Sequence, residues 1–174
     1  ALEPAQAEAW WVALGRLEEH RLPAARPVLL RRAAGASRVV HGLPAGALRI
    51  ELSGSSGTER AALAAPLGRL LGQLHDRGLE WDPAQEVSLA RAPSGELLLV
   101  RARLRAAAAE RHGRDDATGD SCLRSAWAWI AEETRERQGL ENLQEAFCRA
   151  YSGAHLGGPL DRLPALERCR EVLA

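Results

Sequence analysis

The 174-residue sequence contains no lysine; all 23 of its basic residues are arginine, balanced by 23 acids for a formal net charge of zero. A balanced chain lacks the excess positive field on which a general nucleic-acid or polyanion binder relies, so no nucleic-acid partner is expected. Long hydrophobic runs are absent as well. None approaches the roughly 18–20 apolar residues that a helical membrane span needs, which leaves peripheral membrane association as the only membrane role in view. Cysteine is scarce: Cys122, Cys148 and Cys169 are widely spaced and show no C-x-x-C pairing. An odd, scattered set excludes a disulfide framework or zinc cluster and fits free, buried thiols in a reducing compartment. Ala1-Leu2-Glu3 does not open a secretion signal, so the expected location is the cytoplasm. What is present, 46% hydrophobic and 26% charged residues, is the composition of a water-soluble globular protein large enough for one proper core. Arginine in place of lysine, with abundant alanine and leucine, points to a GC-rich bacterial genome.

In chain order, residues 4–20 read as a helix. Pro4 suits its first turn, Trp10, Leu14 and Leu17 make a stripe at i, i+4, i+7, and Trp11 and Leu2 lie near that face. Pro23 and Pro27 then force an extended stretch. Val28–Arg31 and Ser37–Val40 are strand candidates joined at Gly35, and Gly42 and Pro44 close the second. Residues 48–52 are ambiguous in type. Gly54-Ser55-Ser56-Gly57 resembles an anion loop superficially but lacks the following lysine and the glycine spacing. Ser56 with Glu59 is better read as a capping box opening a helix. That helix carries Leu63, Leu67, Leu70, Leu71 and Leu74 on one face, includes Pro66, and ends at Gly78, a natural left-handed cap.

A short loop with Asp82 follows, then two strands, Val87–Ala90 and Leu97–Val100, around Pro93-Ser94-Gly95. Ala106–Ala109 are expected to continue as helix or partly ordered chain, and 111–120, rich in Gly, Asp and Arg, as a loop. The final third reads as helical. Leu123, Trp127, Ile130 and Ala131 share a face of one helix that Gly139 ends. Leu140, Leu143, Phe147 and Tyr151 share a face of the next, and a weaker pattern from Leu160 to Leu173 is broken by Pro159 and Pro164. These elements make an α+β chain, one domain over residues 1–174.

Three stretches carry a resemblance. Glu8–Leu14 leading to Leu22–Val28, Leu74-His75-Asp76-Arg77-Gly78, and Phe147-Cys148-Arg149-Ala150-Tyr151 resemble, in this order and spacing, segments of the lipopolysaccharide core (Kdo/heptose) kinase family and its toluene-tolerance relatives. The resemblance covers most of the chain. It implies a protein-kinase-like fold: a truncated N-lobe sheet with an αC-like helix and hairpin over 1–45, and a mostly helical C-lobe with an inserted β-hairpin over 46–174.

The resemblance also locates where the chemistry belongs. Phosphoryl transfer from ATP requires an orienting acid, Mg²⁺ ligands and a lysine on the phosphates. The family's catalytic loop reads His-x-Asp-Leu-x-x-x-Asn; this chain reads Glu80-Trp81-Asp82-Pro83-Ala84-Gln85-Glu86-Val87. Asp82 is thus the vestigial catalytic acid, Glu80 stands for the histidine, and Val87 replaces the metal-ligating asparagine. The metal-binding Ile-Asp-Phe-Asp falls on Val100-Arg101-Ala102-Arg103, which puts a cation where the family has a carboxylate. No glycine-rich loop or preceding strands lead into the αC-like helix, and no lysine exists to hold phosphate. Neither a cofactor nor a metal is expected.

The leading expectation is therefore a catalytically inactive, kinase-like interaction or regulatory module, tied by its resemblance to the cell envelope, with a protein partner or a second copy. Trp10, Trp11 and Trp81 are candidate anchors for such a contact, though each also fits a core. Two alternatives stay open. One is an active sugar or small-molecule phosphotransferase using Asp82 with Glu80 or Glu86 as improvised metal ligand. The other is a small-ligand binder whose interlobe cleft receives an anion on Arg101 and Arg103. Asp82 and Arg101 are expected to approach each other in place of the lost metal.

Overall fold

In the computed structural model, described for residues 4–33, 36–50, 56–81, 87–106, 117–132, 137–154 and 159–174, the chain forms two compact units, each assembled from two stretches of sequence. The first takes residues 1–51 and 84–104, the second 52–83 and 105–174.

The first unit begins with α1 (Pro4–Glu19), as the periodicity predicts. Ala7, Trp10, Ala13, Leu14 and Leu17 are its buried stripe. The helix closes without a glycine. Arg21 adopts a left-handed conformation, φ 54°, and the Leu22 amide donates to the Leu17 carbonyl at 2.8 Å. Strands β1 (Arg26–Ala33) and β2 (Ala36–Gly42) pair antiparallel, with a bulge between Pro27 and Leu29. α1 packs on one face of this ribbon, where Ser37 is buried and Arg32 reaches Glu8 at 2.6 Å.

The ambiguous segment is a strand, β3 (Leu48–Ile50). It joins β5 (Ser88–Arg91) and β6 (Leu97–Arg101) in an antiparallel sheet of order β3-β5-β6. The β5–β6 pairing is the hairpin read from the sequence, with Leu89 opposite Leu99 and Ala90 opposite Leu98. Four consecutive side chains of β6, Leu97–Val100, are buried, so the strand is covered on both faces. Pro23 and Ala25 bind the Leu99 backbone at 3.0 and 2.9 Å and carry the lead-in to β1 along the same strand. The hairpin's edge hydrogen bonds go to β3, and both lie in the first unit.

The second unit is built on α2 (Gly57–Asp76). Ser56 is its N-cap: the Glu59 amide donates to the Ser56 hydroxyl at 3.4 Å, and the Glu59 carboxylate accepts from the Ser56 amide at 2.8 Å. Gly54 and Ser55 lie outside the described residues, as does Gly35. α2 runs unbroken through Pro66 and buries Leu63, Leu67, Leu70, Leu71 and Leu74 against α3 (Ala117–Ala131) and α4 (Arg137–Gly153). Gly68 and Gly72 bring the backbones of α2 and α4 together; a methyl group on either would sit inside contact distance of the Phe147 or Tyr151 carbonyl oxygen. Trp127 meets Phe147 edge-on at 6.0 Å. α5 (Pro159–Leu173) packs on α3 and α4, and all three cysteines are buried and outside any disulfide.

Several sequence expectations change in this unit. Ala106 belongs to a strand, β7 (Leu104–Ala106), because β4 (Leu79–Trp81) offers it a backbone partner in a two-stranded sheet. Residues 117–120 are already helix, which shortens the expected loop from its C-terminal side. Gly139 lies in the first turn of α4 rather than ending the previous helix, a place where a weak helix former breaks no interior hydrogen bond. Pro159 and Pro164 do not break α5. The first occupies the opening position, where a missing N–H costs nothing, and packing of Cys169 on Cys148 and of Arg170 on Glu145 offsets the bond lost at the second.

Candidate functional site

At the end of α2 the chain stops on Arg77, whose amide donates to the Leu74 carbonyl, and turns through Gly78 at φ 65°. The Leu74–Gly78 run meets the Phe147–Tyr151 run here. His75 Nδ1 and the Tyr151 hydroxyl are 2.9 Å apart, and their rings cross at 80° with centroids 5.6 Å apart. Arg77 reaches back to Asp76 at 2.8 Å. Two of the stretches that carry the resemblance are therefore one packed joint. β4 follows directly, with Leu79, Glu80 and Trp81 all buried. Glu80, at the histidine position, is fully enclosed, and Trp81, like Trp10, is core rather than an exposed anchor; Trp11 is half-buried. Asp82 and Glu86 lie outside the described residues, and the expected approach of Asp82 to Arg101 lies outside them with Asp82.

The remaining positions belong to the first unit. Val87 immediately precedes β5, and Ser88 is the backbone partner of Arg101, the last residue of β6. A register shift between Ser88 and Leu89 follows. Val87 and Arg101 thus stand together at one end of the β5–β6 hairpin, both half-buried. Arg103 lies beyond the strand end and is exposed, with Ala102 buried between. Among the described residues no group of three His, Cys, Asp or Glu side chains is arranged to hold a metal ion.

Other charged clusters were not singled out by the sequence. Arg60, in the first turn of α2, is buried; its Nη1 donates to the Trp129 carbonyl at 3.1 Å and to Glu132, and the guanidinium lies 5.2 Å from the centre of the Trp129 ring. No local pattern marks it, since its partners are more than sixty residues away. Glu145 binds Arg149 one turn later and both Nε and Nη2 of Arg170, at 3.1 and 2.7 Å. The Arg170 and Arg149 hydrogen bonds hold its carboxyl well below the usual range, at about 2. The Glu145–Arg149 spacing was legible as an i, i+4 pair, but the partner from α5 was not. Beneath this cluster the Cys148 and Cys169 thiols share a hydrogen bond that, with burial, pushes Cys169 far up.

No protein-family model and no curated protein matches the chain. Among solved structures it is similar to WaaP in complex with acyl carrier protein, with a TM-score of 0.50 over 94% of this chain and 75% of that one, at 16% identity. The chain has a WaaP-like fold. At that identity the likeness to WaaP speaks for fold alone. The helices and small sheets of this chain agree with the α+β class read from the sequence. Among the described residues, no helix is long and apolar enough to cross a membrane.

Proposed function

We propose that this protein of WaaP-like fold is a pseudokinase: a catalytically inactive module that acts by binding another protein. The observation that carries the reading is the placement of Val87 next to the Ser88–Arg101 pair at one hairpin end. In the alignment of motifs these are the asparagine and the carboxylate that grip Mg²⁺. Valine offers no oxygen, and an arginine brings positive charge to the place of a dication, so the donor set does not fit the metal. Glu80 is enclosed on β4, which argues against its service as an improvised ligand. The sequence also offers no lysine for the phosphates.

Loss of chemistry with retention of a packed fold leaves binding as the role under selection. That WaaP was solved with acyl carrier protein supports a protein partner here, and three buried thiols outside any disulfide support a cytoplasmic setting. Isothermal titration with Mg·ATP, run beside a phosphotransfer assay on sugar acceptors, tests the reading. We expect no heat of binding and no transfer. Micromolar Mg·ATP affinity would establish the phosphotransferase instead, and binding of inorganic phosphate alone, lost in Arg101→Ala, would establish an anion receptor.

A further inference from the structure

The formally neutral chain distributes its charge unevenly. From Arg26 to Ile50 it carries Arg26, Arg31, Arg32, Arg38 and Arg49 and no acid at all. Two of these are occupied by α1: Arg32 pairs with Glu8, and Arg26 lies 3.8 Å from Glu18. The register of β1 and β2 sorts the rest. Side chains alternate between faces along each strand, so Arg32 and Ser37, with Leu30 and Val39 two residues on, face α1. The opposite face then presents Leu29 beside Val40 and Arg31 beside Arg38. All four are exposed, Leu29 at 51% and Val40 at 45%, and Val28 in the adjoining bulge is at 59%. Among the described residues neither Arg31 nor Arg38 has an acidic partner.

Like charges directly opposite each other in an antiparallel ribbon repel, so the Arg31–Arg38 pair costs stability in the isolated fold. An aliphatic pair next to it adds exposed apolar surface. Both features are relieved by one kind of occupant. We infer that the outer face of the β1–β2 ribbon is a docking surface for an acidic amphipathic helix of a partner protein. The spacing matches. Cross-strand Cβ atoms lie about 4.5–5.5 Å apart, close to the roughly 5–6 Å between Cβ atoms of residues one turn apart on a helix. Guanidinium forks engage carboxylates in bidentate fashion. A leucine stripe beside those acids would cover Leu29 and Val40. A membrane surface fits less well, because the Arg26–Ile50 segment holds no Trp, Tyr or Phe to anchor at a lipid interface.

The inference names the partner for the interaction role proposed above, yet it stands on the first unit alone and survives if Mg·ATP binds. The probe is a fluorescent amphipathic helical peptide with glutamates at i, i+4 beside a leucine stripe, read by anisotropy against the full chain. Expected is binding that weakens with added salt, falls about tenfold in Arg31→Glu, and falls likewise in Leu29→Ser. Arg31→Glu also converts the repulsive pair into an opposite-charge pair, so its melting temperature should hold or rise while binding drops, which separates docking from folding. A lysine-for-glutamate peptide should bind only the double variant Arg31→Glu/Arg38→Glu. Equal binding of the glutamate and lysine peptides to the parent, or no loss in Arg31→Glu, would overturn the inference. So would binding to vesicles of phosphatidylglycerol and phosphatidylcholine without peptide binding, which would assign the face to a membrane.

Discussion

Glu145 shows what a single side chain contributes in this fold. Its carboxylate accepts from Arg149 and Arg170, and the two cations hold its pKa at about 2 against an ordinary value near 4.5. In the unfolded chain the carboxyl takes up its proton first as pH falls. The stability it contributes is therefore complete above about pH 4.5 and is lost on the way down to about pH 2. We expect Glu145→Gln to flatten the acid limb of a melting-temperature profile across that window, and molar salt to shrink the difference because the cluster is largely exposed. Residue-scale chemistry was legible where it depended on identity and order: Val87 and Arg101 stood out because the resemblance assigns other residue types there. It was illegible where it depended on distant partners. Nothing near Arg60 announces Glu132, and nothing in the Leu74–Gly78 run announces Tyr151.

At the scale of elements, the interface of α2 with α4 sets the clearest expectation. Glycine inside a helix ordinarily costs roughly 0.5–1 kcal/mol relative to alanine. Gly15 in α1 has nothing within 4 Å of an added methyl, so Gly15→Ala should stabilise by about that amount. Gly68 and Gly72 should reverse the sign. A methyl there meets the backbone carbonyl oxygen of Phe147 or Tyr151, which cannot rotate aside, and overpacking of this kind costs about 1–3 kcal/mol. Gly68→Ala and Gly72→Ala should therefore lower the midpoint of chemical unfolding, while Gly15→Ala raises it. The sequence displayed the leucine stripe of α2 but not the role of its glycines, since periodicity reports what is apolar and not what must be small. Its errors had the same root. Local rules end helices at Gly139, Pro159 and Pro164, and tertiary packing carries the helices through.

For the molecule as a whole, the proposed loss of catalysis raises the question whether one altered component or several would separate it from a working phosphotransferase. Val87 and Arg101, the positions proposed to descend from a metal site, sit on adjacent backbone at one hairpin end, so both can be substituted without moving an element. Arg101→Asp with Val87→Asn would remove a cation and add a carboxylate and an amide oxygen, ligand types that Mg²⁺ and Mn²⁺ accept. The phosphate anchor is a separate requirement, and a sequence with no lysine does not meet it. We therefore expect the double variant to acquire Mn²⁺ binding in the millimolar range, visible as loss of free-ion signal in electron paramagnetic resonance and absent from the parent. Phosphotransfer should stay undetectable, because a metal without an anchored triphosphate leaves the reacting phosphoryl group unpositioned. If the variant bound no metal, the Val87–Arg101 end of the hairpin would not be the metal site's descendant. If it transferred phosphate, the chain would be two substitutions from catalysis, and the proposed loss of function would be shallower than its residues imply.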